Sequence, residues 1–110
     1  MIIRRSEDVG KWKLLMVDGK VDGSNAQDFD NSIQNHMNNH TKWIAFDLSE
    51  TVYMNSVALG ILLATLKTLK SRGGEAAIVN PHKNSKKLLQ VSSFYKIFKI
   101  YLKASDLPLE

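Results

Sequence analysis

Between Trp43 and Val79 two short apolar runs bracket one long amphipathic run, and this alternation leaves few folds open. Trp43-Ile44-Ala45-Phe46-Asp47-Leu48 is apolar, aromatic and too brief for an ordinary helix, so it reads as a buried strand. Val57 to Arg72 reads as a helix that Gly73-Gly74 stops, and Glu75 to Val79 as the next strand. A strand, a helix and a second strand in that order form a parallel pair joined by a crossover. Ser56 falls at the entry to the helix and is expected as its N-cap, its hydroxyl accepting a backbone N–H two or three residues on. The same place suits a phosphate, because unpaired N–H groups and the positive end of the helix dipole both point at it.

The flanking sequence extends the pattern. Ile2 to Ser6 and Trp12 to Val17 read as strands joined through Asp8-Val9-Gly10-Lys11, an antiparallel start. Gly19 to Gly23 breaks the pattern. Ser24 then opens a helix whose apolar residues Ala26, Phe29, Ile33 and Met37 recur at intervals of three and four, with Asp28 and Asp30 suited to its dipole. Asn38 to Thr41 ends it. Pro81 turns the chain into a third helix over His82 to Val91, and Phe94 to Tyr101 reads as a helical turn followed by an edge strand. The expected fold is a single α/β domain over residues 1–110: a mixed, mostly parallel sheet with an antiparallel N-terminal strand and crossover helices.

At 100° per residue, Ala58, Leu59, Leu62, Leu63, Leu66 and Leu69 form one apolar arc on the second helix. Val57 and Ile61 fall off it, within about a turn of Ser56. Scattered surface hydrophobes are normal, and a contact patch beside the serine is the functional alternative.

Composition excludes more than it assigns. The chain has no cysteine, hence no disulfide framework, thiolate chemistry or Cys-based zinc site, which is compatible with a reducing cytoplasm. Met1 to Arg5 turns charged at once, so no signal peptide is expected, and the longest apolar run, Val57 to Leu66, is too short to span a bilayer. The net charge of +4 gathers in the second half, at Lys67, Lys70, Arg72, Lys83, Lys86, Lys87, Lys96, Lys99 and Lys103. A solvated face accounts for these lysines, since no nucleic-acid reading motif accompanies them, and no direct nucleic-acid partner is expected. The six glycines assemble neither of the common phosphate-binding loops. His36 and His40 are spaced as ligands on a helix but lack a third ligand nearby. Asp22, Asp47 and Glu50 have no fixed separation that supports acid–base catalysis. Neither an enzyme nor a cofactor is expected.

Taken in order, Gly19-Lys20-Val21-Asp22, Ala26, Ile44 to Ser49, Met54-Asn55-Ser56-Val57-Ala58-Leu59-Gly60, Gly73-Gly74 and Phe94 to Phe98 resemble the STAS domain of bacterial anti-anti-sigma factors, the anti-sigma factor antagonists. The likeness covers nearly the whole chain. It implies a cytoplasmic, non-enzymatic module that sequesters an anti-sigma factor and so frees a sigma factor. In the family the anti-sigma factor is also a serine kinase of the histidine-kinase ATPase type. It phosphorylates the serine matching Ser56, and a metal-dependent serine phosphatase reverses the step. Asp22 matches the family's acidic position beside the phosphorylation loop, and the implied partner-binding residues are Asp22, Ser24, Asn55, Val57 and Ile61. Two residues depart from the family pattern: Asn55 stands where Asp is common and Ala58 where Gly is common. Asn keeps a hydrogen-bonding side chain without the charge. The alternative is a non-switching STAS adaptor in a larger signalling or transport complex, with Ser56 only a helix cap.

Overall fold

The computed structural model describes residues 2–109. Among these residues seven strands and three α-helices follow one another as β1 (Ile3–Val9), β2 (Trp12–Val17), β3 (Gly19–Val21), α1 (Ala26–Asn35), β4 (Trp43–Asp47), β5 (Thr51–Met54), α2 (Ser56–Ser71), β6 (Glu75–Val79), α3 (Lys83–Val91) and β7 (Lys99–Tyr101). The main sheet has the order β1-β2-β4-β6-β7, antiparallel between β1 and β2 and parallel thereafter. This is the mixed sheet that the sequence predicts.

Steps from β2 to β4, β6 and β7 all run in one direction. Right-handed crossovers therefore put every helix on the same face. Phe29 and Ile33 of α1, Leu59, Leu62, Leu66 and Leu69 of α2 and Leu89 of α3 are all buried there against Leu15, Ile44, Phe46 and Ile78. Burying each of these large side chains contributes about 1.5–3 kcal/mol. The opposite face is closed differently. Trp12, Leu14, Met16, Ala45, Ala77 and Val79 pack there with Leu107, and the Trp12 indole N–H donates to the Pro108 carbonyl at 2.6 Å. The central strands are thus buried on both sides and read as unbroken apolar runs.

Gly73-Gly74 ends α2 for two reasons. Gly73 sits at φ 81°, and a Cβ on Gly74 would run into the Lys42 carbonyl oxygen. The Gly74 N–H donates to Leu69 at 2.8 Å, closing the helix end.

Some boundaries differ from expectation. β1 runs on to Val9, so that Val9 faces Trp12 across a tight turn with Gly10 at φ 58°. α1 begins at Ala26, because Asn25 and Ser24 are held in a turn with Asp22, and it ends at Asn35 before Met37. His36 caps that end through its own N–H, so His36 and His40 do not share a helical face. The stretch from Gly19 does more than break the pattern. It forms β3, which pairs in parallel with β5 as a two-stranded ribbon beyond the carboxyl ends of β2 and β4.

Candidate functional site

That ribbon fixes the entry to α2. The buried Thr51 hydroxyl donates to the Val17 carbonyl at 2.6 Å, and the buried Ser85 hydroxyl donates to the Thr51 carbonyl at 2.6 Å. The Asn84 side chain donates to the Val52 carbonyl at 3.0 Å. The end of β2, β5 and the start of α3 are therefore joined through satisfied polar groups, a rigid arrangement where the surroundings are dry. Val21 and Met54 point into the core, leaving Lys20, Val52 and Tyr53 outside.

The cap of α2 is Asn55, not Ser56. Its side-chain oxygen accepts from the Ala58 N–H at 3.2 Å, and its own N–H donates to Val21 at 3.2 Å. The expectation that Ser56 caps the helix is thereby corrected. Asn and Ser cap about equally well, and the residue with extended backbone geometry takes the role; Asn55 has φ −110° and ψ −177°. Ser56 is the first helical residue. Helix geometry leaves four N–H groups unpaired at this end, and those of Asn55 and Ala58 are used. The N–H groups of Ser56 and Val57 remain for a ligand, beside an exposed Ser56 hydroxyl.

Asp22 follows Val21, whose carbonyl holds Asn55, so the ribbon brings the acidic residue next to the serine turn. Its carboxylate accepts from the Ser24 hydroxyl at 2.6 Å and from the Ser24 N–H at 2.9 Å. The hydroxyl bond chiefly, then the N–H bond, hold the Asp22 carboxyl below its ordinary value of 3.8. Asn25 closes this turn, accepting from the Asp22 N–H and donating to the Lys20 carbonyl. Lys20, Asp22, Val52, Tyr53 and Asn84 line a shallow depression of about 600 Å³.

Val57 is 50% exposed, as its place off the apolar arc predicts. Ile61 is half-buried and packs on the core, so of the two residues off the arc only Val57 stands clear of the core. Tyr53 and Val52, 48% and 38% exposed, were not foreseen and extend the apolar surface. The signal was a valine and a tyrosine directly before the serine turn. Among the described residues no cluster of His, Asp or Glu is placed to hold a metal ion, and no helix is long and apolar enough to cross a membrane.

An α/β module with a capped helix entry, an open serine and an apolar collar beyond the carboxyl ends of its strands is one of a known class. The STAS domain model matches residues 1–107, and the chain belongs to that family. It is 32% identical over 72 residues to an anti-sigma F factor antagonist of Paenibacillus polymyxa, a match covering 66% of this chain and 59% of that protein. The chain spans about half the length of the curated relatives it matches. A crystal structure from Thermotoga maritima, described as a candidate anti-sigma factor antagonist, superposes with a TM-score of 0.85 at 26% identity, covering 93% of this chain and 88% of the other. Unphosphorylated SpoIIAA, an anti-sigma factor antagonist, shares the fold with a TM-score of 0.72 at 16% identity, over 87% of this chain and 85% of that one. SpoIIAA in its phosphorylated form does so with a TM-score of 0.65, at 16% identity over 87% and 88% of the two chains.

Proposed function

We propose that this chain is an anti-sigma factor antagonist whose docking surface is switched off by phosphorylation of Ser56. The observation that carries the reading is the division of roles at the helix entry: Asn55 caps α2, so the exposed Ser56 hydroxyl is not consumed by the fold. Relatives named for this role, and a relative of the same fold known in a phosphorylated form, support it.

In the unphosphorylated state Val52, Tyr53 and Val57 form a neutral apolar collar that an anti-sigma factor covers. The partner is a serine kinase of the histidine-kinase ATPase type. It transfers the γ-phosphoryl group of ATP to the Ser56 oxygen, the hydroxyl proton leaving to a base of the kinase and ADP departing. The product phosphate adds close to two negative charges and can accept from the free N–H groups of Ser56 and Val57 at the positive end of α2. The fold tolerates it. The partner does not, because it would have to desolvate a dianion at the rim of an apolar contact. Asp22 and Ser24 border the same surface, and a metal-dependent serine phosphatase returns the switch.

The test is phosphate transfer from labelled ATP by a candidate anti-sigma factor kinase of the histidine-kinase ATPase type, on wild type and Ser56→Ala, with a pull-down of that kinase by each form. Label in wild type alone, with loss of binding on phosphorylation, is expected. Equal label in the alanine variant overturns the site. Binding without any label favours the non-switching adaptor, for which the neutral Asn55 speaks.

A further inference from the structure

Residues 76–105 contain no aspartate or glutamate but carry Lys83, Lys86, Lys87, Lys96, Lys99 and Lys103. The fold gathers this stretch along one end of the main sheet, as α3, the 3-10 turn Phe94–Lys96 and β7. Lysines scattered in sequence thereby border the β7 edge on both faces of the sheet, Lys86 beside Ile100 on the helical face and Lys99 beside Tyr101 on the opposite one. The same stretch exposes five large apolar side chains: Val91 at 76%, Tyr95 at 50%, Ile97 at 43%, Ile100 at 36% and Leu102 at 77%. A solvated face does not require them, and Tyr95, Ile97 and Ile100 line one depression together with Lys96 and Lys99, an apolar patch with a basic rim of the kind that marks an interaction surface.

Among the described residues β7 pairs with β6 alone and is an edge strand. The Tyr101 carbonyl accepts from the Asn80 N–H at 2.7 Å, so the alternation of a parallel ladder turns the N–H and C=O of Ile100 away from the sheet. Ile100 is in register with Ile78, which places its side chain on the helical face. There Lys86, Gln90, Tyr95 and Ile100 line a groove of about 390 Å³. It joins a depression of about 640 Å³ along Tyr95 to Tyr101, the two sharing Tyr95 and Ile100. The other edge, β1, differs. It exposes Arg4, Arg5, Glu7 and Asp8, charges of both signs, and no large apolar side chain.

We propose that this end of the sheet is a second docking surface, for an extended acidic polypeptide segment that pairs with the free edge of β7. An apolar side chain of the segment sits between Tyr95 and Ile100, and its carboxylates, alternating to the other face, meet Lys96 and Lys99. Free backbone groups at Ile100 call for another strand, which neither a membrane nor a nucleic acid supplies. The sign of the rim and the absence of any acidic residue across the stretch select an acidic one. The proposal is independent of phosphorylation at Ser56.

The experiment titrates the 15N-labelled full chain with the capped peptide Glu-Val-Glu-Ile-Glu-Val-Glu, alongside versions with Pro for Ile and with Lys for every Glu. Saturable amide shifts confined to residues 86–103, strongest at Ile100 and weakened by salt, are expected. Ile100→Asp, and separately the pair Lys96→Glu and Lys99→Glu, should each weaken binding about tenfold or more while the remaining spectrum stays native. No saturable shift in this stretch overturns the proposal, as does equal binding of the Pro or Lys peptide. Dilution-dependent shifts there without peptide would assign the face to a second copy of the chain. Binding of phosphatidylglycerol vesicles or single-stranded DNA in place of the peptide would assign it to an anionic surface. Either result also overturns it.

Discussion

At the helix entry, one residue holds the fold and its neighbour is left exposed. Asn55 accepts from Ala58, so Asn55→Ala should cost about 1 kcal/mol, whereas Ser56→Ala, which breaks no hydrogen bond of the fold, should stay within about 0.5 kcal/mol of wild type. Urea unfolding of both variants checks this, and an equal loss in Ser56→Ala would return the cap to the serine. A sequence cannot separate two adjacent capping residues, because both have the chemistry and only the backbone angles choose between them. Asp22 provides a second test. Its carboxyl is held below 3.8 mainly by the Ser24 hydroxyl, so this contact stabilises the fold fully above that value and ceases to as pH falls through the lower, folded value. In Ser24→Ala the Asp22 titration followed by NMR should move up toward 3.8. An unchanged midpoint would mean that the hydroxyl bond is not formed in solution.

Elements were legible in proportion to how much of their burial shows as pattern. The runs Ile44-Ala45-Phe46 and Ala76 to Val79 are buried on both faces and could be read as strands directly. The β3–β5 ribbon could not. Thr51 and Met54 are buried while Val52 and Tyr53 between them are exposed, which is neither a helical nor an alternating pattern, and β3 is three residues long. Its pairing is supported by tertiary contacts, among them the Thr51 hydroxyl on Val17 and the Ser85 hydroxyl on Thr51. Thr51→Val should therefore cost about 1–3 kcal/mol, because it removes the donor from a buried carbonyl although shape is nearly kept. A thermal midpoint equal to wild type would show that the Val17 carbonyl finds another donor. The end of α2, by contrast, was legible as Gly73-Gly74, though not its second cause. Gly74→Ala forces a methyl group into the Lys42 carbonyl, and this overpacking should cost about 1–3 kcal/mol, where an unhindered Gly→Ala change would stabilise.

Over the whole molecule, the candidate switch sits on a part of the surface tied to the core through buried hydrogen bonds. β5 is held to β2 and α3 by buried hydroxyls, and Asn55 is held to β3, so a phosphate at Ser56 has no loosely packed element beside it to displace. A switch at Ser56, as proposed, would therefore work through surface chemistry rather than refolding. Phosphorylation lowers the net charge from +4 to about +2 and should change amide shifts only around residues 20–24, 52–61 and 84, with the unfolding midpoint nearly preserved. The collar gives the matching mutational contrast. Val57→Lys replaces a half-exposed side chain and should weaken partner binding about tenfold or more with a stability change near zero. Ile61→Lys, one turn on but packed against the core, should cost about 1–3 kcal/mol in stability as well. Calorimetry of binding and thermal unfolding on the two variants separates the cases. If Val57→Lys melts as early as Ile61→Lys, the exposed valine belongs to the core and the collar is not a docking surface. If phosphorylation instead shifts amides across the main sheet, the switch acts by rearranging the fold.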